Sequence, residues 1–139
     1  MRTLNSLALI ICVACQDPDP IVGTYDLRTV LDPTQSAVQA LPVPAGVRPG
    51  LDIPPYDPIA FVIHGGELRM NSNGTLSGNF STSAVGGTPE SDGFSGKWSR
   101  TSDGIVVTDG FGYEYTWKMR GDTLGLSCYV KLVCNFTKR

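Results

Sequence analysis

From residue 59 onward, apolar and polar residues alternate along most of this chain, and glycine, asparagine and aspartate interrupt the alternation at short intervals. The clearest run is Phe111-Gly-Tyr-Glu-Tyr-Thr-Trp-Lys-Met119. Phe111, Tyr113, Tyr115, Trp117 and Met119 fall on one face, and Gly112, Glu114, Thr116 and Lys118 on the other. A period of two is that of a strand half buried in an antiparallel sheet. The same reading predicts strands over 21–31, 59–64, 67–71, 75–82, 93–99, 104–108, 111–119, 122–128 and 132–138. Asn73-Gly74, Asp103-Gly104, Asp109-Gly110 and Gly121-Asp122 separate them, and these residues favour tight turns. With 59–64 and 67–71 taken as one strand bent at Gly65-Gly66, eight strands remain. Short sequential hairpins with one apolar face predict an all-β, up-and-down antiparallel eight-stranded barrel. Closure removes the edges that would otherwise pair with other chains.

Residues 32–58 break the pattern. They contain Pro33, Pro42, Pro44, Pro49, Pro54, Pro55 and Pro58. Proline removes a donor and fixes φ, so a long loop is expected here, neither helix nor central strand. The segment also carries Ala37, Val38, Ala40, Leu41, Val43, Val47, Leu51, Ile53 and Tyr56. A purely disordered loop would hold fewer apolar residues. Two readings stand side by side: a lid that packs over the barrel, and a variable surface insertion.

The N-terminus has a different pattern again. Arg2 is the only charge before Asp17, and Leu7 to Ala14 is apolar throughout. A membrane-spanning helix needs about 20 apolar residues, so this run is too short and matches the core of an export signal. The competing reading is a buried N-terminal strand, but the polar, Pro-broken stretch Gln16-Asp-Pro-Asp-Pro20 follows at once. Ala14 before Cys15 resembles the cleavage box of bacterial lipoprotein signals, which implies Cys15 as the lipidated residue. Gln16 after the cysteine, in place of Asp, resembles the Gram-negative pattern for the outer membrane. The expected organisation is a signal peptide over 1–14, a lipidated tether over 15–20 and a barrel domain over 21–139. The location it implies is the cell envelope, facing the periplasm or the surface. In another host the protein would be secreted.

Charge narrows the partners. Eleven Lys and Arg oppose thirteen Asp and Glu, a formal net charge of −2, with no basic run. Nucleic-acid binding and a basic membrane-surface patch are both disfavoured, leaving the lipid anchor as the expected membrane contact. Sixteen glycines and ten prolines suit a chain rich in turns. Of four cysteines, Cys12 and Cys15 belong to the signal, and Cys128 and Cys134 lie near the C-terminus. An exported chain meets an oxidising compartment, so a Cys128–Cys134 disulfide is expected across the last hairpin. A metal pair is the alternative, but one histidine and no second cysteine pair argue against zinc.

Several motifs resemble the lipocalin-like barrel lipoproteins of bacteria. Ile21-Val-Gly-Thr-Tyr-Asp-Leu27 is similar to the opening Gly-x-Trp strand of lipocalins, with Tyr25 in place of the Trp. Residues 66–78 are similar to the Gly-x-Leu hairpin of the small bacterial members, and Gly96-Lys-Trp98 to their Gly-x-Trp strand. Residues 121–126 and the basic end Thr137-Lys-Arg139 complete the resemblance. It implies a barrel whose last-strand basic residue, Lys138 or Arg139, packs across Tyr25. It implies no particular activity.

The residues themselves point away from catalysis. His64 is the only histidine, and no Gly-x-Ser-x-Gly elbow accompanies it. Asp103, Asp109, Glu114 and Asp122 sit in turns or on the outward face and read as turn formers. Neither a calcium loop nor a phosphate-binding glycine loop is present, so no cofactor and no enzymatic activity are expected. Asn73-Gly-Thr, Asn79-Phe-Ser and Asn135-Phe-Thr match the glycosylation pattern and matter only in a eukaryotic host. The inward aromatic residues Phe80, Phe94, Trp98, Tyr113, Tyr115 and Trp117 have two readings. They fill a narrow barrel, or they line a site for a small apolar ligand. Gly78, Gly96 and Gly125 fall among them and would leave room or make corners. The expected functions are therefore an envelope lipoprotein that binds an apolar ligand, or a filled barrel whose loops contact a protein partner such as a protease.

Overall fold

The computed structural model describes residues 19–31, 39–47, 61–102, 104–128 and 132–139. Among these residues ten strands form: β1 (Gly23–Leu31), β2 (Ala40–Pro42), β3 (Ala45–Val47), β4 (Phe61–Met70), β5 (Thr75–Ala84), β6 (Glu90–Thr101), β7 (Gly104–Asp109), β8 (Glu114–Arg120), β9 (Thr123–Cys128) and β10 (Leu132–Lys138). From β4 to β10 each strand pairs antiparallel with the next. β1 pairs with β10 on one side and β4 on the other, closing the ring. The expected up-and-down eight-stranded barrel is thus formed by β1 and β4 to β10.

The two apolar stretches at 59–64 and 67–71 are one strand, β4, with an irregularity between Ile63 and Gly65 that makes His64 an extra residue against β5. Such a bulge bends a strand and tightens its twist. At Gly66 a Cβ would lie 2.7 Å from the Asn79 carbonyl, so glycine lets β5 come close there. β5 and β6 run further than their alternation indicated, and the loop expected over 84–92 shrinks to residues 85–89. β8 begins at Glu114, whereas alternation placed its start at Phe111. The Asp109 carboxylate accepts the N–H groups of Phe111 (2.9 Å) and Tyr113 (3.0 Å), so this backbone is committed to a turn.

The Pro-rich stretch is partly a correction. Within it, β2 pairs with the end of β1 (Leu31↔Ala40, Thr29↔Pro42), and β3 pairs with the start of β4 (Ala45↔Ile63, Val47↔Phe61). β1 and β4 pair directly only over Gly23–Asp26 and Glu67–Met70. β2 and β3 extend the sheet from these two strands beyond that point, and Ala45 and Val47 are buried in the core. Removal of residues 39–47 would therefore take core residues with it. Residues 32–38 and 48–60 lie outside the described residues, as do residues 1–18, over which the export signal and Cys15 lipidation were expected.

Inward positions build a continuous core around Tyr25, Ile63, Leu68, Ile105, Leu124 and Phe136, all essentially without exposure. Each such side chain contributes about 1.5–3 kcal/mol by leaving water. One barrel end is closed by residues 19–22. Ile21 is buried there, and its carbonyl accepts the Tyr25 hydroxyl at 2.7 Å. Asp19 pairs with Arg100 through two hydrogen bonds, and Lys138 Nζ donates to the Pro20 carbonyl at 2.8 Å. Of the two basic residues expected to cross Tyr25, Lys138 is its register partner. Arg139 instead binds both Asp26 oxygens (2.9 and 2.8 Å) and Glu67 (2.7 Å), clasping the β1–β4 seam.

Candidate functional site

A cavity of about 380 Å³ occupies the other end of the barrel, between β5, β6, β7, β8 and β9. Leu76, Val107, Trp117 and Leu126 are buried and form its inner wall. Phe80 and Phe94 flank it with ring centroids 5.4 Å apart and planes inclined by 28°. Phe80 also meets Phe136 edge-on at 5.7 Å, which ties the cavity wall to the packed core below. Cys128 contributes from the last hairpin, where it is bonded to Cys134 as expected. The two cysteines are diagonal neighbours, because Cys128 faces Leu132 and Cys134 faces Leu126.

Glycine positions explain how the wall is built. A Cβ at Gly78 would collide with the Phe94 ring and lie 2.8 Å from the Glu67 carbonyl. The room glycine leaves is therefore taken by Phe94. At Gly96 a Cβ would lie 2.6 Å from the Thr108 carbonyl, so this residue brings β6 and β7 together.

The mouth is acidic. Asp92, Asp109 and Tyr115 line it, and Tyr115 donates its hydroxyl to Asp109 at 3.1 Å. Burial works to raise the Asp109 pKa, but hydrogen bonds from the Tyr113 and Phe111 N–H groups and from Tyr115 outweigh it and hold the carboxyl below its ordinary value. Asp109 is thus ionised at neutral pH. The bond to that carboxylate raises the pKa of Tyr115.

Of the aromatic residues read as ligand contacts, Phe80, Phe94, Tyr115 and Trp117 come together around the cavity. Trp98 does not. Its indole N–H donates to the carbonyls of Asn71 (3.0 Å) and Thr75 (3.1 Å), sealing the β4–β5 turn near the closed end. Tyr113 lies in the β7–β8 turn and is 68% exposed, beside Phe111 at 91%. Sequence reasoning missed Asp92 as a lining residue and saw Asp109 only as a turn former. Its Asp-Gly signal was visible, and its turn role is real. His64 Nε2 and the buried Ser83 hydroxyl lie 2.8 Å apart, a pairing that their separation in sequence concealed. Among the described residues no carboxylate hydrogen-bonds to His64, and no three His, Cys, Asp or Glu side chains are arranged to hold a metal.

No protein-family model matches the chain, and no curated protein matches it significantly. The crystal structure of a lipoprotein, YedD from Klebsiella pneumoniae, is similar to it with a TM-score of 0.46 and 12% identity, over 88% of this chain and 74% of that one.

Proposed function

We propose that this chain is an exported, lipid-anchored protein of the bacterial cell envelope that binds a small apolar ligand in the cavity at one end of its barrel. The cavity is the observation that carries this reading. Its volume of about 380 Å³ falls within the range of small-molecule sites, and its wall is mainly aliphatic and aromatic. The short apolar run ending at Ala14-Cys15 supports export and acylation, with the outer membrane as the destination. The His64–Ser83 pair reads as a satisfied polar contact beside the β4 bulge, and we assign no chemistry to it.

Trp117 is a built-in reporter, because the chain's other tryptophan, Trp98, lies near the far end. In a Trp98→Phe variant, titration with 1-octanol or 1-naphthol should shift or quench the remaining emission. An unchanged spectrum across both probes, with the fold intact by circular dichroism, would sink the ligand reading. A second reading, capture of a protein partner, draws on Phe111, Tyr113 and Val85, which are exposed in turns at the cavity end. A partner that protects those turns from proteolysis, with no response at Trp117, would favour it.

A further inference from the structure

The proposed ligand reading leaves the ligand's charge open, and the cavity narrows it. Four aromatic rings, those of Phe80, Phe94, Tyr115 and Trp117, share one wall with two carboxylates, Asp92 and Asp109. Among the described lining residues there is no Lys, Arg or His. The Asp109 carboxylate is held in place by two backbone N–H groups and the Tyr115 hydroxyl. A pre-oriented carboxylate needs little rearrangement to meet a ligand. Asp92 stands on β6 four residues from Gly96, the register partner of Asp109, and is exposed further out along the same cavity.

Three kinds of apolar ligand would fare differently here. A neutral one gains from burial alone. An anionic one would carry its charge beside two carboxylates in a partly desolvated site, where like charges repel. A cationic one would place its charge near carboxylates and among aromatic rings, whose quadrupoles attract cations. We propose that the cavity selects a hydrophobic organic cation, an apolar body with an ammonium head, held among its aromatic rings by the Asp109 carboxylate, with Asp92 adding negative potential further out. This rests on the ligand-binding reading of the same cavity and specifies the class of molecule it takes.

The test compares one apolar body with three heads: octyltrimethylammonium, 1-octanol and octanoate, each titrated against Trp117 emission at low salt. The expected order places the cation first, about tenfold tighter than octanoate, with the alcohol between. Asp92→Asn should narrow the ratio between cation and alcohol, and added salt should do the same. Equal affinities, or octanoate binding best, would overturn the cation inference and leave the apolar site standing. Binding by none of the three would overturn both.

Discussion

At the scale of the residue, Tyr25 joins core and closure. Its ring is fully buried, and its hydroxyl donates to the Ile21 carbonyl in the segment that caps the barrel. Burial, with the Asp19 charge adding to it, pushes its pKa up to about 12. A raised folded-state value means that the neutral phenol is favoured in the fold. This contribution is fully present below about pH 10, the ordinary phenol value, and is lost as pH rises toward 12. Tyr25→Phe removes the donor and should cost about 1 kcal/mol at pH 7. Urea unfolding at pH 7, 9.5 and 11 should then show a steeper alkaline loss in the wild type than in the variant. Parallel alkaline limbs would refute the assignment. Tyr113 and Trp98 teach the converse at this scale. Alternation named both as inward contacts, yet a turn bond to Asp109 keeps one in solvent, and two carbonyls hold the other near the closed end.

At the scale of the element, the β9–β10 hairpin is the part that a covalent bond holds. Cys128 and Cys134 are six positions apart, and Cys128 also touches the cavity. A loop this short gives a chain-entropy contribution of about 2 kcal/mol, at the low end for disulfides. A Cys128→Ala, Cys134→Ala double variant should lose that amount in denaturant titration, and reducing agent should lower the wild type to a similar midpoint. Identical midpoints with and without the bond would mean that the ladder alone sets the hairpin's stability. The strands around it were legible because period-two patterning and turn chemistry are local properties. Strand ends were less legible: β6 runs from Glu90 to Thr101, past its apolar positions, because pairing with β5 and β7 satisfies its backbone whatever its side chains are.

At the scale of the whole molecule, the described residues give the barrel one end capped by residues 19–22 and another end that holds the cavity, and the described chain enters at the capped one. Asp19, pinned there by Arg100, follows Cys15 by four residues. Four residues span at most about 14 Å. A lipid on Cys15 would hold the closed end near the membrane and leave the cavity mouth facing away. Cells expressing the full chain and fed an alkyne analogue of palmitate should label the wild type and leave Cys15→Ser unlabelled and in the soluble fraction. An unlabelled wild type would remove the anchor from the proposal without touching the cavity.

The all-β class, the hairpin order from β4 to β10 and the Cys128–Cys134 pair were readable along the chain, because each depends on neighbours a few residues apart, whereas closure through β1 joins residues as distant as Tyr25 and Lys138. The cavity was not readable. Alternation tells which face a side chain takes and says nothing of its height in the barrel, and height decides whether Trp117 and Phe94 meet around a space while Trp98 closes a turn. That height follows from the stagger between strands, set by the β4 bulge, by the close approach at Gly96 and by the wedge of β2 and β3 beside the β1–β4 seam. These depend on contacts between distant segments, so the site emerged only once the ring had closed.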